Sequence, residues 1–478
     1  MLFNSIEFIL FLPLVFLIYW AIKPLRWQNA FVILASYIFY GWWDWRFLGL
    51  IFLATSTSFI CGILLDKFKR KRDRKLVVWL NVAVSLGILG TYKYYNFFAE
   101  NFSRLLSLGG IETGFVTLEL VLPVGISFYT FQTLSYTIDV YRRNLDATKD
   151  PLAFYAFISF FPQLVAGPIE RADNLLPQFL KERFFDYGKA VNGLRQALWG
   201  FFKKIVIADN CGVIVDRVFS NYMEVGSVNL FIAAVLFSIQ IYCDFSGYTD
   251  IAIGTSRLFG VNLRRNFNFP YFSRDIAEFW RRWHISLSSW FRDYVYIPLG
   301  GNRKGRNKTI INTIIVFMVS GFWHGADWTF ISWGAFNAML FIPLLIAGKS
   351  RRFKGSTVAQ HSLLPSIKET LMMGITFLLV VIGRILYRAK TIPDAWCFFK
   401  KMVTEFTITK PLIDKSLIPL IIFLFAMEWV YRKKQFGLDI SGHGLMKYRI
   451  ARWSFYYILT MLILLQTSRH EAFIYFQF

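Results

Sequence analysis

TIINTIIVFMVSGFWHGADWTFISWGAFNAMLFIPLLIA occupies residues 309–347. Basic stretches bracket it, GNRKGRNK (301–308) before and KSRRFK (349–354) after. The roughly 40 residues between them suit two membrane spans in a hairpin, with both ends on the cytoplasmic side. At the centre, SGFWHGADWTF (320–330) places a histidine and an aspartate in otherwise apolar surroundings. His324 therefore lies deep in the bilayer region or near its outer end. An ionisable residue there is a functional candidate by default, and imidazole suits acid–base work near neutral pH. The alternative is a histidine that hydrogen-bonds a neighbouring helix. Gly321, Gly325 and Gly334 let backbones approach closely or let a helix break.

The same pattern fills the chain. It has 478 residues, 55% of them hydrophobic and 19% aromatic, and a mean hydropathy of +0.44. Soluble domains are rarely so apolar. Apolar runs lie near 6–22, 29–42, 48–65, 76–98, 115–140, 193–218, 228–256, 309–323, 328–347, 367–386, 413–431 and 453–467, and a further run, 152–169, carries prolines and a glycine that suit a re-entrant segment. The expectation is an all-α polytopic membrane protein with roughly 11 to 13 membrane elements, in one integral membrane domain over 1–478. MLFNSIEFILFLPLVFLIYW (1–20) has no basic n-region and no small-residue cleavage site, so it reads as a first span.

Basic loops at 66–75, 141–144, 262–266, 301–308, 349–354 and 431–434 are expected on the cytoplasmic side, which places both termini outside. The net charge of +23 reads first as this topogenic signal and second as attraction for anionic lipid or an anionic cofactor. Nucleic acid is not an expected partner. Cys61, Cys211, Cys243 and Cys397 are scattered, with no CxxC spacing, and read as structural thiols, with no metal site.

Three further stretches carry unusual polarity. In RDIAEFWRRWHISLSSWFRDYVYIPLG (274–300), Trp280, Trp283, Leu287, Trp290 and Tyr294 fall at helical a/d spacing, while Arg281, His284, Ser288 and Arg292 form a second stripe. That predicts one amphipathic helix on the cytoplasmic side, at the membrane surface or under the bundle. QIYCDFSGYTDIAIG (240–254) puts Gln240, Asp244 and Asp250 in or beside a span, where carboxylates must be paired or face a wet cavity. FFPQLVAGPIER (160–171) has the proline and glycine of a broken segment, tolerated only against protein or a water-filled cavity. Walker A, GxSxG and HExxH signatures are absent from the sequence.

These stretches, together with the opening LFNSIEFILFLPLVFLIYW and the ending EAFIYFQF, resemble the membrane-bound O-acyltransferase family, most of all its bacterial alginate O-acetyltransferase branch. The resemblance implies a helical bundle with re-entrant segments around a central tunnel, in the bacterial cytoplasmic membrane. It implies that His324 is the essential active-site residue and His284 the second histidine. Gln240, Asp244, Asp250, Trp323 and Asp327 are the candidates for a tunnel lining or polar network. The resemblance implies acetyl-CoA from the cytosol as acyl donor, with no permanently bound cofactor. The coenzyme's phosphates require cations, for which Arg281, Arg282 and Arg292 are the candidates. The acyl group is expected to reach an SGNH-type acetyltransferase partner outside and then an exported polysaccharide, alginate-like or peptidoglycan. Two alternatives stay open: a transporter or flippase, which would also bury charge at the midplane, and a non-catalytic assembly subunit.

Overall fold

The computed structural model describes all residues except 113, 115, 116, 166, 406, 408, 409, 441–443, 467–472 and 474–478. His443, His470 and, apart from Phe473, the ending EAFIYFQF lie outside the described residues. All regular structure among the described residues is helical. Five helical stretches are long and apolar enough to cross a membrane: Phe47–Lys67, Lys71–Leu108, Ser227–Leu258, Trp328–Ile346 and Ile367–Arg388. The chain is a polytopic all-α membrane protein.

The helices gather into two compact units. The first comprises Met1–Ala190 with Thr255–Arg264. It contains α1 (Ile6–Ala21), α2 (Leu25–Gly41), α3 (Phe47–Lys67), α4 (Lys71–Leu89), α5 (Tyr95–Leu108), α6 (Ile126–Tyr141), α7 (Pro151–Ser159), α8 (Phe161–Leu164) and α9 (Ala172–Phe179). Helices α3, α4 and α6 pack together through polar pegs, Asn81 donating to the Thr137 hydroxyl (2.8 Å) and Ser58 to the Thr133 carbonyl (3.0 Å). Small polar side chains bind helices well where no water competes. The broken segment expected at 160–171 is present. The backbone leaves helix at Phe160, and the Gln163 amide donates to the freed Phe157 carbonyl (2.6 Å). The run 115–140 is not one span, because helix starts only at Ile126. Pro123 and the left-handed Gly125 (φ 74°) end any helical path before it.

The second unit comprises Val191–Gly254 and Arg265–Phe478. It holds most of α10 (Tyr187–Phe201) and of α12 (Ser227–Leu258), and all of α11 (Asp209–Ser220), α13 (Ile276–Arg282), α14 (Ile285–Phe291), α15 (Arg306–His324), α16 (Trp328–Ile346), α17 (Ile367–Arg388), α18 (Ile392–Thr404), α19 (Leu417–Val430) and α20 (Arg449–Leu464). A π-turn, Phe202–Ala208, joins α10 to α11. Helix α12 has 32 residues, about 48 Å at 1.5 Å per residue, and is mostly buried. Helix α18 sits in no apolar run of the sequence. It is set by a Thr391 cap that accepts from the Asp394 N–H (3.2 Å).

The segment 274–300 departs from expectation. It is not one amphipathic helix on a surface. Helix α13 ends at Arg282, His284 is left-handed (φ 45°), and α14 begins at Ile285. Trp283 and His284 are each only 1% exposed. The cause is the extended strip 266–268. The Asn268 N–H donates to the Arg282 carbonyl (2.9 Å) and the Ile285 N–H to the Asn266 carbonyl (2.9 Å), so the groups freed by the break are satisfied from outside the helix.

The charge pattern sets the topology test. In a Cys397→Ser background, a cysteine at Lys304 should react with an impermeant maleimide only from the cytoplasmic side, and one near Met1 only from outside. Labelling of both from one side contradicts the assignment.

Candidate active site

Helices α15 and α16 form the hairpin expected from 309–347. Glycines bring them into close contact. A Cβ on Gly321 would overlap the Phe330 carbonyl oxygen, and one on Gly334 would overlap that of Phe317. The chain turns at 325–327, where the Asp327 carboxylate accepts from the Thr329 N–H (2.8 Å) and caps α16. Asp327 is thus occupied in holding the turn. His324 ends α15 and is 3% exposed. Its ring lies among Trp323 (4.8 Å between centroids), Trp333 (5.3 Å) and Tyr387 (5.6 Å). The Tyr387 hydroxyl is 3.4 Å from its Nδ1.

The break after α13 brings His284 to the same place, its ring centroid 6.4 Å from that of His324. Its tautomer follows from its neighbours. The Ser286 backbone N–H, which only donates, lies 3.2 Å from Asn266 Oδ1 and fixes which end of that amide faces inward. Oδ1 also lies 3.2 Å from His284 Nδ1, so Nδ1 carries the proton. Burial pushes the His284 imidazole down to about 3. The ring is therefore neutral, with a lone pair on Nε2, and that atom has no hydrogen-bond partner among the described residues. In this state His284 accepts a proton or a hydrogen bond and has none to give from Nε2.

The remaining polar candidates separate. Asp244 and Asp250 belong to a buried ion network between α12 and the π-turn. Lys204 contacts Asp209 (2.7 Å) and Asp244 (2.8 Å). Lys203 contacts Asp250 (2.5 Å) and the Ser246 hydroxyl (2.9 Å), and Gln196 donates to Asp250 (2.7 Å). Close approach at Gly200 and Gly247 lets the lysines reach. Gln240 makes no side-chain hydrogen bond among the described residues. Of the three arginines, Arg282 is buried and held by Glu278 (2.8 Å) and by the carbonyls of Asn268 (3.2 Å) and Ser356 (3.0 Å). Arg281 and Arg292 instead line a cavity of about 560 Å³, together with Arg351 and Lys354. Phe317 also lines it. Trp280 bridges Phe317 (5.4 Å) to Trp333 (5.7 Å), which touches His324. Phe317, Trp280 and Trp333 thus form a chain of aromatic rings between this four-cation cavity and His324.

The family model for membrane-bound O-acyltransferases matches residues 143–376, which span both histidines. The chain is 38% identical over 404 residues to the protein named probable alginate O-acetylase AlgI of Azotobacter vinelandii, covering 84% of this chain and 78% of that one. The chain belongs to the membrane-bound O-acyltransferase family. Like its relatives, this family member is an acyltransferase enzyme. The AlgI of Pseudomonas aeruginosa is 39% identical over 84% of this chain and 75% of its own length. The peptidoglycan O-acetyltransferase of Helicobacter pylori is 34% identical over 84% of this chain and 80% of its own length.

Several residues of the candidate site, and of the buried ionic groups elsewhere in this unit, went unread in the sequence. Asn266, Tyr387 and Trp333 are ordinary as letters, and their placement next to the histidines is tertiary. Lys203, Lys204, Arg384 and Glu428 left a signal, since each is an ion inside an apolar run.

Proposed function

We propose that the protein takes acetyl groups from cytosolic acetyl-CoA and passes them through the bacterial cytoplasmic membrane to a hydroxyl acceptor outside, for O-acetylation of an exported polysaccharide. The observation that carries this reading is the buried pair of histidines, 6.4 Å apart, joined by a chain of aromatic rings to a cavity with four cations. The relatives named for alginate and peptidoglycan acetylation support an envelope polymer as final acceptor. An SGNH-type partner outside relays the acetyl group.

His324 acts as general base. A hydroxyl is a poor nucleophile until a base removes its proton in the transition state. A neutral imidazole among aromatic rings performs this step. His284, whose Nε2 lone pair is free, orients a donor group on the acceptor or on the departing thiol. The cavity beneath holds the nucleotide end of the donor, whose phosphates suit the fork of Arg281 and Arg292. Between them the tunnel keeps thioester and hydroxyl in contact, which replaces a bimolecular encounter with a positioned one.

Arg281→Gln and Arg292→Gln should each raise KM for acetyl-CoA several-fold with kcat little changed, because they remove binding shared by ground and transition states. Normal folding with wild-type KM in the double variant would detach this cavity from the donor.

A further inference from the structure

Arg384 stands apart from the other buried arginines of the second unit. Arg274 and Arg282 are paired with Glu278, and Arg432 donates to the Val358, Ala359 and Ser362 carbonyls. Arg384, on α17, is 2% exposed, and its Nε and Nη2 have no hydrogen-bond partner among the described residues. None of the ion pairs among the described residues includes it. Its guanidinium instead lies over three rings, Trp283 at 4.5 Å, Tyr387 at 5.4 Å and Trp333 at 5.7 Å. Stacking engages the face of a guanidinium and leaves the N–H groups in its plane free. Nε and Nη2 are the two donors of one edge, a pair suited to oxygen.

Tyr387 and Trp333 are the same two rings that flank His324. One pair of side chains therefore holds the imidazole and the guanidinium beside each other. A buried cation without a counter-ion is costly, and an orphaned buried donor calls for a ligand or a catalytic role. The phosphates of a nucleotide thioester are served by the cations of the cavity. What stays unserved is the charge that appears only during reaction, on the thioester carbonyl oxygen.

We propose that Arg384 is a catalytic residue that binds this oxyanion, an assignment that rests on the acyl-transfer reading above. The acceptor hydroxyl oxygen bonds to the thioester carbonyl carbon while its proton passes to His324. The carbonyl π pair moves onto oxygen, which accepts from Nε and Nη2 of Arg384. On collapse the C=O reforms, the C–S bond breaks with its electron pair going to sulfur, and the proton on His324 passes to that sulfur. The products are an acetyl ester and a free thiol.

The test is thiol release from acetyl-CoA by membrane vesicles carrying wild-type protein, Arg384→Met or Arg384→Lys at matched levels, with thermal unfolding of each purified protein. Loss of one oxyanion donor typically lowers kcat about 10²–10³-fold. Arg384→Met should show that loss with KM for acetyl-CoA unchanged and a melting temperature equal to or above wild type, because an unpaired buried charge has been removed. A structural arginine would lower the melting temperature instead. Arg384→Lys keeps the charge but lacks the paired edge, and should recover less than about tenfold. The assignment fails if Arg384→Met turns over near the wild-type rate, if its loss appears in KM alone, or if it melts early. Should Arg384→Met not fold, near-wild-type kcat in Arg384→Lys overturns it equally. Wild-type vesicles that release no thiol would sink the acyl-transfer reading itself, and the role of Arg384 with it.

Discussion

His324→Ala should abolish measurable acetyl transfer while expression, membrane insertion and partner binding persist. Loss of a general base costs about 10²–10⁴-fold in rate, and the effect belongs in kcat, because the proton moves only in the transition state. The His324 Nδ1 lies 3.4 Å from the Tyr387 hydroxyl, and Gly321 and Gly334 hold the hairpin independently of it. His284→Ala should impair transfer comparably or less, since its free Nε2 orients a partner group. O-acetyl content of the exported polymer, in cells carrying each variant at matched protein levels, measures both. Near-normal acetylation in His324→Ala would leave a packing histidine and no base.

Lys204→Met should have the largest effect on stability. The lysine is 1% exposed and bridges Asp209 and Asp244, themselves 2% and 3% exposed. Removing it leaves two carboxylates buried without their cation. Breaking a buried ion pair by deleting one partner costs about 3–5 kcal/mol, a large share of a typical protein's stability. The variant should accumulate poorly and melt many degrees below wild type. Replacing all three groups, as Lys204→Met with Asp209→Asn and Asp244→Asn, should recover much of the loss, because no unpaired charge then stays inside. A single variant that melts with wild type would show that water reaches these carboxylates.

The hairpin at 309–347 was legible because its two signals are local. Apolar runs predicted α15 and α16, and the glycines with His324 and Asp327 predicted the interruption between them. The pairing of 274–300 with 266–268 was not legible. The helical spacing of its tryptophans runs straight through Trp283, which lies in the break between α13 and α14, and the kink at His284 depends on Asn266, whose backbone and amide satisfy the broken turn from a different segment. For the same reason the sequence set His284 on a surface helix, whereas the fold seats its ring beside His324. The span at 115–140 failed for a local reason that was present in the letters, Pro123 and Gly125. Arg384 and Lys204 were visible as ions in apolar runs, but which of them is neutralised and which is not depends on Glu278, Asp209 and Asp244, groups whose positions only the packed helices define.

Vectorial transfer through the site of His324 is the central claim, and sided membrane vesicles test it most directly. Inside-out and right-side-out vesicles from cells that make the polymer are each given radiolabelled acetyl-CoA from outside, with wild-type or His324→Ala protein. Inside-out wild-type vesicles should gather acetyl label on polymer in the lumen, and right-side-out vesicles and both His324→Ala preparations should not. Equal labelling in right-side-out vesicles, or label in the His324→Ala preparations, would contradict the account.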